Sequence, residues 1–179
     1  MTDKKVLSNI IDGEERASAS GDVLDIINPS TGEVYATSPN SGAEDVDAAF
    51  QAAAAAFDGY RWTTPAERQK YLLQLADVIE ANAEELSRIE SENTGKPFGS
   101  VMADEIVPMV DQIRFFAGAA RVLEGKSGGE YMKGHTSYVR REPRGPIGQV
   151  APWNYPMMMA VWKFAPCLLY TSPSPRDRS

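Results

Sequence analysis

Apolar residues between about Asn9 and Pro39 form short runs separated by turn residues. The run that ends at Ile11 precedes Asp12-Gly13, a dipeptide typical of a tight hairpin turn, and further runs cover residues 23–27 and 32–37. An Asn-Pro dipeptide stops the second run, because proline fixes φ and favours a turn. This pattern predicts an antiparallel β region.

The next segment predicts a helix. Ser41 and Glu44, three residues apart, have the spacing of a capping box at its start, and Gly59 is expected to end it. The apolar positions that share one helical face are Val46, Ala49, Phe50, Ala53 and Phe57.

A second, longer helix is predicted from Thr64 as N-cap, with Pro65 in the first turn and Glu67 completing another capping box. Its apolar stripe comprises Leu72, Leu75, Ala76, Ile79, Ala83 and Leu86. The sequence Thr94-Gly95-Lys96-Pro97 breaks the pattern.

A third helix is predicted over about residues 100–123. Its inner positions are Ile106, Val110, Ile113 and Ala117. Pro108 lacks an amide donor and should kink this helix or mark a restart just upstream.

The remaining segments alternate between loops and short elements. Residues 125–134 are rich in glycine and predict a loop, and residues 138–141 alternate like a strand with one exposed face. Residues 147–152 predict a buried strand that arrives at a loop. Residues 157–165 predict a helix with Pro156 in its first turn.

Composition narrows the class of protein. The chain has 179 residues, 42% hydrophobic and 24% charged, and a net charge of -7, which argues against a general nucleic-acid binder. Its apolar runs are far shorter than the ~18–20 residues of a membrane span. The start of the chain has no apolar signal segment, so we expect a cytoplasmic protein. One cysteine excludes a disulfide framework and a multi-thiolate metal site.

Three minor motifs carry little chemistry. Residues 125–127 read Gly-Lys-Ser, but the glycine and the strand that a phosphate loop needs before them are missing. His135, the only histidine, is interpreted as a surface loop residue. The cation cluster of Arg140, Arg141 and Arg144 is interpreted as a solvated strand edge or a subunit contact rather than an anion site.

The segment from Ala151 to Pro156, A-P-W-N-Y-P, is the most specific feature of the chain. A loop at the end of a buried strand is where ligands bind in open α/β sheets. The Asn154 amide can donate to a developing oxyanion, and Trp153 offers an apolar wall. Equally, Trp153 could pack in a core and Asn154 could cap the following helix.

This segment, continued as M-M-M-A-V-W-K-F-A-P, resembles the signature of the NAD(P)-dependent aldehyde dehydrogenase superfamily. The sequences N-P-S-T-G, N-T-G-K-P and R-R-E-P-R-G occur in the order and spacing of that family, and the resemblance runs from about residue 10 to 166. Residues 115–121, 129–131 and 134–137 look most like the γ-aminobutyraldehyde dehydrogenases, followed by the betaine-aldehyde dehydrogenases.

The resemblance implies an α/β fold: an antiparallel β arm, helices and the start of a Rossmann-like NAD domain. Residues 1–166 would be the N-terminal portion, with an incomplete NAD-binding domain. A strand near residues 137–143 would serve oligomerisation in a homodimer or homotetramer. The implied cofactor is NAD or NADP, with NAD preferred, and the implied partner is a small aldehyde.

The resemblance also assigns roles to residues. Asn154 and Lys163 would be catalytic, Asn154 as oxyanion donor and Lys163 near the cofactor ribose with a proton-relay role. The residues that would contact the cofactor are Val150, Ala151, Pro152, Trp153, Asn154 and Lys163. No metal ligands are assigned, although Ile27 and Asn93 match positions near a structural monovalent cation, where asparagine in place of the frequent aspartate weakens the site.

The family's cysteine nucleophile and glutamate base lie further along the family sequence, so we expect this chain alone to be inactive. The alternatives are a non-catalytic NAD-binding or subunit-interaction remnant, and a structural relative without catalytic residues. Residues 167–177 read C-L-L-Y-T-S-P-S-P-R-D, which matches the translation of a transposase-type sequencing adapter. We therefore expect residues 167–179 to be a non-native tail.

Overall fold

The structure is a computed structural model that describes residues 5–123, 128–139 and 142–169. The strands are β1 (Lys5–Val6), β2 (Asn9–Ile11), β3 (Glu14–Arg16), β4 (Val23–Ile27), β5 (Val34–Pro39), β6 (Gly129–Met132) and β7 (His135–Ser137). The helices are α1 (Ala43–Tyr60), α2 (Pro65–Ala81), α3 (Ala83–Thr94), α4 (Phe98–Val101), α5 (Val107–Ala119) and α6 (Pro156–Leu169), with a π-helical turn at Met102–Ile106.

The predicted hairpin near the start of the chain is confirmed. β2 pairs antiparallel with β3, with Ile11 opposite Glu14. The two turn residues between them have positive φ, 56° for Asp12 and 76° for Gly13. Positive φ at both central residues is what a type I′ turn requires, and Asp-Gly tolerates it best.

The neighbouring sheet has the strand order β1-β5-β4. β4 runs antiparallel to β5, as predicted, whereas β1 runs parallel to β5 with Lys5 opposite Ala36. The antiparallel prediction covers residues from about Asn9 to Pro39, and both pairs within that range are antiparallel; β1 and its parallel pairing lie before it. A strand of two residues carries no readable alternation, and its direction depends on the path of the chain between it and β5.

The N-cap of helix α1 lies one residue later than predicted. Gly42 is the N-cap, and its amide donates to the Asp45 carboxylate at 2.9 Å. The second Asp45 oxygen accepts from the Ala19 amide, also at 2.9 Å, and Ser41 donates instead to Asn9. Asp45, rather than the predicted Glu44, completes the capping box. Its carboxylate also joins the helix start to the loop before β4, a tertiary contact that local spacing does not encode. The apolar face predicted for α1 is largely exposed, with Val46 and Phe50 both more than half accessible.

The cap predicted for α2 is confirmed, and the length of that helix is corrected. Thr64 and Glu67 form the capping box. The single long helix expected up to about residue 94 divides at Asn82, whose φ of -108° and ψ of 17° leave the helical region. The apolar stripe continues across this break because α2 and α3 both pack on one core.

Pro108 marks a restart rather than a kink. α4 passes into the π turn, and Pro108 lies at the start of α5. A proline clashes with the carbonyl four residues before it, and a wider turn there removes that conflict. The predicted inner positions of this helix are all buried.

The main core lies between α2, α5 and α6. Its buried members are Leu72, Ala76, Val101, Ile106, Met109, Val110, Ile113, Ala117, Val161 and Ala165. α6 confirms the helix predicted after Pro156, but it continues through Pro166 to Leu169. Residues 170–179 lie outside the described part, so the non-native tail stays a prediction.

The loop predicted over residues 125–134 contains β6, which pairs with β7 in a hairpin. Met132 opposes His135, and Gly134 between them has a φ of 76°. The strand predicted from Tyr138 is not observed at its described residues, since Tyr138 and Val139 follow β7 without pairing. The observed strand, β7, ends just before them at Ser137. Arg140 and Arg141 lie outside the described residues. The same holds for residues 124–127, which include the Gly125-Lys126-Ser127 segment.

Candidate functional site

The segment that carries the most specific motif is exposed and irregular. The described residues 142–155 form neither helix nor strand, so the buried strand predicted at residues 147–152 is wrong for this structure. A strand needs neighbours that accept and donate its main-chain hydrogen bonds. The described residues place no strand beside this segment, and its apolar side chains consequently face solvent.

The path of the segment is fixed at both ends by α6. The Gln149 side-chain amide donates to the main-chain oxygen of Lys163 at 3.3 Å. At the other end the Tyr155 carbonyl accepts from the Met159 amide at 2.8 Å, which is the first hydrogen bond of the helix. The chain thus runs back along α6 from Lys163 to the helix start and then turns into the helix.

The six candidate residues follow this path. Val150 and Trp153 are 87% and 85% exposed, Ala151, Pro152 and Asn154 are also exposed, and Lys163 is half-buried on α6. Val150 follows Gln149 and so lies near Lys163, whereas Asn154 lies at the start of α6. Lys163 lies seven positions after Pro156, about 10 Å along the axis of α6, so the two candidate catalytic residues are about two helical turns apart.

This arrangement decides one of the alternatives left by the sequence. Trp153 does not pack in the core, and the first carbonyl of α6 belongs to Tyr155 rather than Asn154. The outward-facing apolar side chains suit a planar ring, and the half-buried Lys163 suits the hydroxyl or phosphate groups of a nucleotide. In the described part of the chain, Val150 and Trp153 are therefore accessible to a ligand.

A buried charged cluster, which we call the Lys96 cluster (Lys96, Glu90 and Glu105), lies beneath the loop of Asn154. Lys96 donates from Nζ to a Glu105 carboxylate oxygen and, at 3.1 Å, to the main-chain oxygen of Asn154. Its Nζ is 4.0 Å from Glu90 Oε1 and 3.7 Å from the centre of the Tyr155 ring.

Glu90 is the unusual titrating group of this cluster. Burial, reinforced by the neighbouring Glu105 carboxyl, raises the pKa of Glu90 from 4.5 to about 8. Lys96 opposes that shift only in part, because its ammonium lies closer to Glu105. Glu90 is consequently protonated near neutral pH, and the second negative charge is kept out of the core.

The sequence pattern predicts only a helix-ending turn around Lys96 and no charged cluster, although a signal for the cluster is present. Glu105 stands between Val101 and Met109 at helical spacing, and both neighbours are buried. A carboxylate inside an apolar helical stripe needs a buried partner. Lys96, in the turn after α3, is that partner.

A separate cleft of about 410 Å³ lies beside the C-terminal part of α6. Its walls include Phe57 and Tyr60 of α1, Arg68 of α2, Ile147, and Phe164 and Leu168 of α6. The Tyr60 hydroxyl donates to the Leu168 main-chain oxygen. Asn154 and Trp153 do not line this cleft.

The residues matched to a monovalent cation lie near the turn that carries Lys96. The Asn93 amide donates to the Tyr35 hydroxyl at 3.1 Å, and the Ile27 side chain is exposed at the end of β4. Over residues 5–123, 128–139 and 142–169, no group of three or more His, Cys, Asp or Glu side chains is placed to hold a metal ion.

His135 lies in β7, not in a loop. It is exposed, and its Nδ1 is 3.2 Å from the Lys133 carbonyl. The helices in the described part of the chain are too short or too polar to cross a bilayer.

Comparisons with known proteins agree with one another. The sequence profile of the aldehyde dehydrogenase family matches residues 16–172. An aldehyde dehydrogenase of Rhodospirillum rubrum is 39% identical over 160 residues, which are 89% of this chain and 31% of that protein. Acetaldehyde dehydrogenase 2 of Cupriavidus necator is 39% identical over 165 residues, 92% of this chain and 32% of that protein.

A solved structure shows the same likeness. An NAD+ complex of an aldehyde dehydrogenase from Bacillus cereus superimposes with a TM-score of 0.88 and 34% identity, covering 93% of this chain and 34% of that one. The chain thus spans about a third of the length of the relatives that it matches.

Proposed function

The chain belongs to the aldehyde dehydrogenase family, and from this premise we propose that it forms the first third of an enzyme that oxidises an aldehyde to the carboxylic acid. NAD(P)+, with NAD+ preferred, would accept the hydride when bound. The observation that carries the proposal is the outward-facing segment 150–154, held along α6 within a chain of this family.

In this proposal the exposed segment binds and orients the cofactor. Val150, Ala151, Pro152 and Trp153 provide an apolar wall, and Lys163 provides a cation near the ribose. The support for the four apolar residues is their exposure, because side chains that are accessible in the described part remain free to contact a ligand. The support for Lys163 is its place on α6, where its main-chain oxygen accepts from Gln149, the neighbour of Val150.

Asn154 acts on the substrate rather than on the cofactor. Its side-chain amide donates to the oxygen of the aldehyde as negative charge develops there, a contribution of ~2.7–4 kcal/mol for such a donor. Replacing Asn154 by Ala in the enzyme that contains this chain is therefore expected to lower kcat by about 10²–10³-fold. Asn40→Ala, which alters an exposed asparagine elsewhere, is the matched control. An unchanged kcat in the Asn154 variant would contradict the assignment.

The chain of 179 residues by itself is proposed to have no turnover. The resemblance implies that the cysteine nucleophile and the glutamate base come further along the family sequence than these 179 residues. Incubation of the chain with aldehyde and NAD+ should yield no NADH. Calorimetry on the same sample tests NAD+ binding. If NAD+ binds and the complete reading frame lacks both the cysteine and the glutamate, the result would instead favour a non-catalytic NAD-binding remnant.

We propose an aminoaldehyde, such as γ-aminobutyraldehyde, as the substrate. The support is the resemblance of residues 115–121, at the end of α5 and just after it, and of residues 129–131 and 134–137, in the β6–β7 hairpin. The test is kcat/KM of the enzyme for γ-aminobutyraldehyde, betaine aldehyde and acetaldehyde. Equal values for all three would remove the aminoaldehyde preference.

The same enzyme is proposed to assemble as a homodimer or homotetramer through residues 137–143. Within this range Tyr138 and Val139 are exposed and continue from β7, so they can pair with another chain. Sedimentation of the enzyme and of a variant with proline at Val139 tests this, because proline removes a main-chain donor. An unchanged assembly in the variant would contradict the proposed interface.

A further inference from the structure

The link between α3 and α4 reaches the loop of Asn154 through one side chain. Lys96 extends from this link, and its ammonium meets groups from three other elements. Glu90 faces it from α3, Glu105 from the π turn, and Asn154 and Tyr155 from the segment before α6. These include every titratable side chain that the structure places against the ammonium among the described residues.

The burial of these groups makes the contact hard to rearrange. The Glu105 residue is 0% exposed and the Lys96 side chain is 21% exposed. A buried carboxylate without its counter-charge is strongly unfavourable, so Glu105 holds the ammonium in place. With Glu90 protonated, the Lys96 cluster carries one positive and one negative charge and is neutral as a whole.

The Asn154 carbonyl needs an external partner. It precedes the first carbonyl of α6, which belongs to Tyr155, so the helix does not fix its direction. The hydrogen bond from Lys96 at 3.1 Å does. The main chain and the side-chain amide of Asn154 share one Cα, and a fixed carbonyl therefore limits where the amide can point.

We propose that Lys96 is a positioning residue for the Asn154 loop, holding the Asn154 carbonyl and the Tyr155 ring while Glu105 holds Lys96. The consequence for aldehyde oxidation rests on the proposed function, whereas the order of the loop does not. In this proposal the effect of Lys96 passes through the main chain of Asn154.

The test distinguishes two roles of Lys96: holding the Asn154 loop in place, and neutralising the charge of Glu105. Three variants of the 179-residue chain are compared with the unaltered chain: Lys96→Met, the double variant Lys96→Met with Glu105→Gln, and Lys70→Met as a control at an exposed lysine. Methionine keeps the apolar stem of the lysine. The double variant also removes the carboxylate that Lys96→Met alone would leave without its counter-charge. The measurements are thermal stability and the ¹⁵N relaxation order parameters of the Asn154 and Tyr155 amides.

The expected results differ between the two measurements. Lys96→Met lowers thermal stability and takes the order parameters from about 0.85, the value of rigid backbone, to below about 0.6. The double variant regains most of the thermal stability because the cluster is again neutral, but its loop stays mobile because the hydrogen bond from Lys96 is still missing. Lys70→Met changes neither measurement.

Two results would overturn the proposal. One is recovery of both stability and loop order in the double variant, which would make Lys96 a counter-charge only. The other applies even if no variant folds: Lys96 ammonium protons of the unaltered chain that exchange with water as fast as those of Lys70. Failure of the proposed function would appear elsewhere, as an unchanged kcat in Asn154→Ala, with the loop order unaffected.

Discussion

Two regions of the molecule that both contain apolar runs reach opposite states. Met109, Ile113 and Ala117 on α5 are buried, whereas Val150 in the segment after Pro146 is 87% exposed. The helix satisfies its own main-chain hydrogen bonds, so it needs only other side chains to cover its apolar face. The segment 147–152 needs neighbouring strands for its main chain as well, and none lies beside it among the described residues.

The comparison separates two meanings of an apolar run. In α2, α5 and α6 the run identifies a core that the described residues complete. In the segment before Asn154 it identifies a surface that remains available. The Lys96 cluster joins the two regions, since its carboxylates lie in the helical core and its ammonium contacts the segment.

The largest expected effect tests the buried side of the comparison. Ile113→Ala should lower the free energy of unfolding by about 2–5 kcal/mol, because it removes buried methyl groups and leaves a cavity. Urea unfolding followed by circular dichroism measures it. Phe115→Ala, on the exposed face of the same helix, is the control and should cost less than Ile113→Ala. Equal costs would mean that α5 does not bury the face assigned here.

The next effect tests the junction between the regions. Because the pKa of Glu90 is raised from 4.5 to about 8 in the folded protein, the folded state holds a proton that the unfolded state has lost within that window. Stability should therefore fall as the pH rises from 4.5 to 8, by at most about 1.4 kcal/mol per pH unit for one proton. Glu90→Gln has no proton to lose there and should flatten this decline.

Urea unfolding at several pH values between 4.5 and 8 measures this difference. Glu92→Gln changes an exposed carboxylate on the same helix and provides the control. A decline of equal slope in the unaltered chain and in the Glu90 variant would contradict the burial of a protonated Glu90.

A smaller effect concerns the turn that presents Lys96. Gly95 and Gly32 have nearly the same φ, 76° and 75°, so alanine at either should cost about 1–2 kcal/mol of backbone strain. A Cβ at Gly95 would also lie 2.9 Å from Pro29 Cγ, whereas one at Gly32 meets no atom within 4 Å. Gly95→Ala should therefore lower thermal stability more than Gly32→Ala. Equal losses would show that Pro29 moves aside without cost, and a larger loss in Gly32→Ala would contradict the role of this contact.

The smallest expected effect tests the exposed side. Trp153→Ala should change the free energy of unfolding by less than about 0.5 kcal/mol, since the ring is not packed in the core. Urea unfolding measures this value too. A loss of several kcal/mol would place Trp153 in a core and leave the exposed segment unavailable as a ligand wall.

Local chemistry made much of the fold predictable. Asp12-Gly13 indicated the hairpin, and Thr64 with Glu67 indicated the start of α2, because each depends on residues within one turn. The inner positions of α5 followed from helical spacing. The Gly42–Asp45 cap and the parallel pairing of β1 were missed, since both depend on residues distant in the chain.

The candidate site divides in the same way. The sequence by itself determined the family and the residues that carry its motif, because side-chain types in a fixed order do not depend on what surrounds them. Only the tertiary structure decided that Trp153 faces outward and that Lys96 meets the Asn154 carbonyl across 58 residues of chain. Burial and long-range electrostatics depend on which elements pack together, and no local pattern specifies that.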